Sequence, residues 1–203
     1  MDINVNYHSS IRIGDIYVDP FKIEKVEKEA SYIFITHSHY DHLSFDDINK
    51  IVNKSTIFVC TRDVSKEIKK IYSNNIIVEV EPNKKYMDFN ILFSTFSSYN
   101  INKKFHPKAN NWVGYIIQVE GVKYAIIGDS DFTDEVKNIE CDVLFVPIGG
   151  TYTMDALEAS KLTNIINPKV VIPVHYNGIV GSKNDEKQFL KGLNKDIKCK
   201  IYL

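Results

Sequence analysis

Three histidines and an aspartate fall within residues 37–42, in the run Thr36-His37-Ser38-His39-Tyr40-Asp41-His42. Neutral imidazole is the commonest side-chain metal ligand, and an ionised carboxylate supplies the matching oxygen donor. Side chains two apart on an extended segment point the same way, so His37 and His39 can reach one cation. A turn after them presents Asp41 and His42 towards a second position. Mixed nitrogen and oxygen donors suit a borderline cation such as zinc. Four ligands do not complete two metals, so further donors are expected at other strand ends. Asp129 follows an apolar run in Ile127-Gly128-Asp129-Ser130, where one carboxylate could bridge two cations. His175 closes Ile172-Pro173-Val174-His175-Tyr176, and His106 stands in the polar stretch Lys104-Phe105-His106-Pro107-Lys108.

The elements that must position these residues follow from the hydrophobic pattern. Short apolar runs at Ile3–Tyr7, Ser10–Ile13 and Ile16–Val18 read as strands, broken by Asp19-Pro20. Tyr32–Thr36 is a buried strand ending directly at His37. Ser44–Asn53 reads as a helix, with Ser44 as its cap and Asp47 close to capping-box spacing. Ile57–Cys60 is a strand and Asp63–Tyr72 a helix. Ile76–Val80, Lys85–Phe89 and Ile91–Ser97 follow as strands, and 100–111 as a polar loop. Trp112–Val119 and Val122–Ile127 form a hairpin about Glu120-Gly121. Asp142–Val146, Pro168–Val174 and Lys200–Leu203 are strands, alternating with helices at Asp155–Ile166 and Asp185–Asn194. Lys22–Glu29 is a short helix or a solvated loop. Hairpins and β-α-β units in one chain imply mixed sheets covered by helices.

The composition is that of a soluble globular protein, with 44% hydrophobic and 25% charged residues. It excludes disorder, collagen-like repeats and a disulfide scaffold. At 203 residues without repeats or linkers, one domain over 1–203 is expected. The net charge of −1 offers no general nucleic-acid or membrane patch, and among the basic residues only Arg12 and Arg62 are arginine. Cys60, Cys141 and Cys199 make no CxxC pair. That usage suits a reducing compartment. Met1-Asp2-Ile3-Asn4 shows no leader, and no apolar run reaches the roughly 18 residues of a membrane span. A cytoplasmic protein is expected.

Taken together, these motifs resemble the metallo-β-lactamase superfamily. The similarity is to the branch of ascorbate-6-phosphate lactonase-like and N-acylphosphatidylethanolamine phospholipase D-like hydrolases. It runs through Tyr7-His8-Ser9-Ser10, the His37–His42 cluster, Tyr99 to His106-Pro107-Lys108, Asn111-Trp112-Val113-Gly114, Gly128-Asp129, Gly149-Gly150-Thr151-Tyr152-Thr153-Met154 and Ile172 to Tyr176. Tyr7 departs from the pattern, standing where glycine is usual.

The resemblance implies a four-layer αββα sandwich of two mixed sheets flanked by helices, with a dinuclear centre at one edge. His37, His39 and His106 would hold one metal, Asp41, His42 and His175 the other, and Asp129 would bridge. Zinc is the default cation, and manganese or iron fits the same donors. Two such cations lower the pKa of a bridging water, giving a hydroxide that attacks a carbonyl carbon or phosphorus. Asp41 and Asp129 then serve catalysis as well as ligation, and no Ser or Cys nucleophile is needed. The implied activity is a lactonase or phosphodiesterase acting on an ester, lactone or phosphodiester. Counting charges leaves the centre slightly positive, which points to a small anionic substrate. Lys108, with Lys103 and Lys104, could assist, although a solvated loop is the plainer account of these lysines. His8, Tyr152 and Tyr176 are further candidates to contact substrate, and the backbone before the Asp155 helix could cradle an anion. The length leaves no room for the added helical region of glyoxalase II-like thioesterases or the inserted domain of RNA-processing relatives. His39 stands where flavodiiron members carry Glu. A nuclease of single-stranded nucleic acid and a non-catalytic metal-binding protein are the alternatives. No nucleic-acid or membrane partner is expected, and a homo-oligomer is left open.

Overall fold

The computed structural model describes residues 2–88 and 91–203. Met1 of the N-terminal reading and Phe89 of the expected Lys85–Phe89 strand lie outside them. The chain divides into two compact units, Met1–Glu81 with Tyr202–Leu203, and Pro82–Ile201.

The first unit holds strands β1 (Ile3–Val5), β2 (Ile11–Ile13), β3 (Ile16–Val18) and β4 (Tyr32–Ile35), helix α1 (Phe45–Ile51), β5 (Ile57–Thr61), α2 (Arg62–Ile71) and β6 (Ile76–Val80). The strands lie side by side in chain order. β1–β2 and β2–β3 pair antiparallel, whereas β3–β4, β4–β5 and β5–β6 pair parallel. β5 is buried at every residue and β4 at all but its first, which is why both read as continuous apolar runs rather than alternating ones. Ile33, Ile35, Phe58 and Cys60 of these strands form one buried cluster with Ile48 and Ile51 of α1 and Val64 and Ile68 of α2. Ser44 caps α1 as the sequence suggests, accepting from the Asp47 N–H. The segment 22–29 is loop, not helix.

The second unit holds β7 (Lys85–Asp88), β8 (Ile91–Ser97), β9 (Val113–Val119), β10 (Val122–Ile126), α3 (Asp134–Lys137), β11 (Val143–Pro147), α4 (Ala156–Ile166), β12 (Val170–Val174), α5 (Lys183–Gly192) and β13 (Lys198–Cys199). Its strands lie in the reverse of chain order, β13 to β7. β7 through β10 pair antiparallel, and β10 through β13 parallel. The hairpin about Glu120-Gly121 is present, with Val119 opposite Val122. α4 begins in a full capping box made by Asp155 and Glu158, and α5 in one made by Ser182 and Asp185. One expectation shifts. The last strand is Lys198–Cys199 rather than Lys200–Leu203, because its pairing to Val170 and Val171 sets the register. The sequence reading also passed over α3, a single turn capped by Thr133.

Each unit is thus a mixed sheet that changes from antiparallel to parallel, with helices in its parallel half. This is the two-sheet, helix-flanked α/β architecture expected.

Candidate metal centre

In the first unit the ligand run begins where β4 ends. A parallel strand delivers its carboxyl end to a loop, the usual place for a site in open α/β sheets. His37 and His42 are fully buried, Asp41 nearly so, and His39 partly. His37 Nε2 lies 3.0 Å from His39 Nδ1. Asp41 Oδ2 lies 3.1 Å from His8 Nε2 and 3.7 Å from His42 Nε2. His8, Asp41 and His42 offer ligand atoms that all lie within 4.8 Å of one another.

A residue that sequence reasoning missed organises this cluster. Asp19, fully buried just after β3, accepts from the Thr36 N–H at 2.8 Å and the Thr36 hydroxyl at 2.7 Å. Its Oδ2 also lies 2.8 Å from His42 Nδ1. Because the Thr36 hydroxyl gives its one proton to Asp19, it accepts from His37 Nδ1, 2.9 Å away. Both imidazoles are therefore protonated at Nδ1, which makes Nε2 the basic nitrogen of each. In the neutral ring, the His42 Nε2 lone pair lies 3.7 Å from the Asp41 carboxylate, electron-rich beside electron-rich. A shared cation would relieve that repulsion, and the donor set is the nitrogen-oxygen mixture that zinc takes. The signal for Asp19 was an acid directly after an apolar strand, in Val18-Asp19-Pro20. In the sequence it reads only as a strand breaker. Asp19 has a backbone φ of 47°, a left-handed conformation unusual for a side-chain-bearing residue.

In the second unit three loops carry the remaining candidates. Gly128 takes a φ of 67°, turning the chain after β10 so that Asp129 follows in a buried position. Asp129 Oδ2 lies 3.1 Å from His175 Nε2. The same aspartate and His106 offer ligand atoms within 4.8 Å of each other. The Asp129 carboxylate thus lies close to both imidazoles, in contact with that of His175. His175 follows β12 with a φ of 57°. Gly149 packs so tightly on it that an added Cβ would stand 2.1 Å from the His175 carbonyl oxygen. His106 is fully buried, its ring edge-on to Trp112 at 4.4 Å.

The proposed substrate contacts divide. Tyr152 packs edge-on against Phe105, with ring centroids 4.7 Å apart. Tyr176 is fully buried and donates its hydroxyl to Glu186 at 3.0 Å; burial first, and then that carboxylate, raise its pKa. Lys108 donates to Glu135 at 2.7 Å and lies over the Tyr99 ring. Lys103 is paired with Asp131. The start of α4 is no open anion cradle, because Asp155 Oδ1 already accepts from the Leu157 and Glu158 N–H groups. A cation that the sequence did not single out is Lys22. Its ammonium sits 4.3 Å from the Tyr7 ring centroid, and that ring is 6.3 Å from His8. The three thiols stay protonated near neutrality. Burial, the first cause in each case, pushes Cys141 to about 12, Cys199 to about 11, and Cys60 higher still.

Among the described residues no helix is long and apolar enough to cross a membrane. The two mixed sheets and their helices are those of the metallo-β-lactamase fold. Residues 8–175 match the β-lactamase superfamily domain, Lactamase_B_3, and the chain belongs to that family. A UPF0173 metal-dependent hydrolase of Saccharolobus solfataricus is 30% identical over 195 residues, covering 88% of this chain and 80% of the relative. Another, of Natranaerobius thermophilus, is 24% identical over 97% of this chain and 92% of its own. Among solved structures, one from Parabacteroides distasonis named for metal-dependent hydrolysis superposes with a TM-score of 0.81. It is 24% identical and covers 98% of this chain and 91% of its own.

Proposed function

We propose that this chain is a metal-dependent hydrolase with a two-cation centre, acting as one catalytic domain over residues 1–203. His37, His39 and His106 would hold one cation, and Asp41, His42 and His175 the other, with Asp129 shared. The observation that carries the reading is the Asp19 network, which turns the Nε2 atoms of two buried imidazoles towards other donor groups, that of His42 towards the Asp41 carboxylate and that of His37 towards the His39 ring. The curated relatives named metal-dependent hydrolases support the activity class.

When bound, two divalent cations supply an activated water at neutral pH and offset charge on the oxygen of the attacked group. The rest falls to the chain. Asp41 and Asp129 bring the negative charge that keeps the cluster from being strongly cationic. His8 holds its Nε2 proton against Asp41 Oδ2 and fixes that carboxylate. The buried setting of His37, His42, Asp129 and His175 keeps bulk water from competing for them. The substrate class that fits is a small anionic ester, lactone or phosphodiester. Lys22 favours this charge better than Lys103 or Lys108, since no carboxylate lies within 4.0 Å of its ammonium among the described residues.

The test is metal analysis of the purified chain, followed by neutral and phosphorylated lactones and a model phosphodiester. Zinc near two per chain is expected, with turnover that Asp129→Asn reduces by at least about a hundredfold, in the range of removing a charge-stabilising group. Fewer than about one metal per chain would sink the two-cation reading. Full metal with no turnover of any ester would favour the non-catalytic alternative, and cleavage confined to oligonucleotides the nuclease.

A further inference from the structure

The loop between β8 and β9 carries His106 and has no regular structure beyond one 3-10 turn at Lys108–Asn110. A loop of this kind positions a ligand only if something fixes it to its neighbours. One side chain does so. Asn100 is 6% exposed, and its Oδ1 accepts from the His106 N–H at 3.1 Å. Its backbone N–H donates back to the His106 carbonyl at 2.7 Å, closing a ring between the two residues. Its Nδ2 donates to the Asp129 carbonyl at 3.1 Å, to the Tyr152 carbonyl at 3.1 Å and to Asp131 Oδ1 at 3.3 Å. Asp131 adds a second tie, accepting from the Ile101 N–H at 2.9 Å. Asn100 thus binds the His106 loop, the Asp129 loop and the loop before α4.

We propose that Asn100 is the positioning residue that sets His106 relative to Asp129, and so sets the affinity of this chain for its metal. This rests on the metal-centre reading above. The amide is the required group. Its carbonyl oxygen meets a donor, while its NH₂ meets two backbone carbonyls and a carboxylate. Aspartate in the same place has no hydrogens for those three acceptors and adds a negative charge beside Asp131. Groups that orient metal ligands typically change affinity by about 10–100-fold when removed.

The experiment measures zinc affinity of the full chain by competition with a chromogenic chelator, for wild type, Asn100→Asp, Asn100→Ala and Tyr99→Phe. Circular dichroism of each metal-free variant controls for folding. Tyr99→Phe removes a hydroxyl that donates to Glu135 from the same loop, and touches neither ligand. Both Asn100 variants are expected to bind at least about tenfold more weakly while remaining folded, with Tyr99→Phe unchanged. Should Asn100→Ala unfold, Asn100→Asp, of the same size, decides. Wild-type affinity in a folded Asn100→Asp overturns the proposal and leaves the metal centre standing. Equal weakening by Tyr99→Phe also overturns it, since general loosening of the loop then explains the effect. A wild-type chain that binds no zinc, manganese or iron overturns the metal centre, and the proposal with it.

Discussion

At the scale of single residues, the chemistry depends on which nitrogen of each imidazole carries the proton. His37 and His42 have two nitrogens each, and only a fixed tautomer makes Nε2 a dependable ligand. Asp19 fixes both, one directly and one through the Thr36 hydroxyl. Asp19→Ala is therefore expected to weaken zinc binding by about 10–100-fold. Asp19→Asn should fall between, because an amide still accepts through its oxygen but cannot serve both partners as a carboxylate does. Chelator competition on the folded variants reads this directly. Affinity unchanged in Asp19→Ala would remove Asp19 from the account.

At the scale of elements, α1 does more than cover the sheet. Asp47, buried in its first turn, accepts from the Lys22 and Ile23 N–H groups at 2.8 Å each. It also accepts from the Ser44 hydroxyl and the Lys50 ammonium. The helix thereby holds the segment that follows Asp19-Pro20. Burial alone would raise the Asp47 pKa, but the hydrogen bonds from Lys50, Ser44, Ile23 and Lys22 outweigh it and lower it from 3.8. A carboxylate lowered on folding stabilises the chain above its unfolded value, and that contribution disappears as the pH falls through the folded value. Asp47→Ala should cost about 1–3 kcal/mol at neutral pH. The gap between wild-type and variant urea midpoints should stay constant down to about pH 4 and narrow below it. A gap that widens in acid would contradict this assignment.

At the scale of the whole molecule, the metal is expected to be part of the stability. A ligand that binds only the folded chain stabilises it by about 2.7 kcal/mol at a hundred times its dissociation constant. In a chain of this size that raises the unfolding midpoint by roughly 5–11 °C. Thermal scans of chelator-stripped protein with and without zinc test this. Asp129→Asn should show a smaller rise, and no rise in wild type would count against a cation held among these residues.

How much of this was legible in the sequence depends on whether neighbours in the chain were enough. His37, His39, Asp41 and His42 could be read because their relation is local: an apolar strand ends and a turn follows. The helix caps at Ser44 and Asp155 were visible for the same reason, since a cap bonds to N–H groups two or three residues on. Asp129 and His175 could be placed only as polar residues ending apolar strands, and their 3.1 Å approach depends on how β10, β11 and β12 pair. The pairing of Lys108 with Glu135 spans 27 positions and could not be read locally. Asp19 reads as a strand breaker and Asn100 as the start of a polar loop because most of their partners are likewise far along the chain. The sequence by itself determined the candidate donor residues, the strands that end at them and the family the chain belongs to. Only the tertiary structure decided which buried carboxylate and which amide hydrogen-bond to those residues, because a hydrogen bond between distant loops leaves no periodic trace in the sequence.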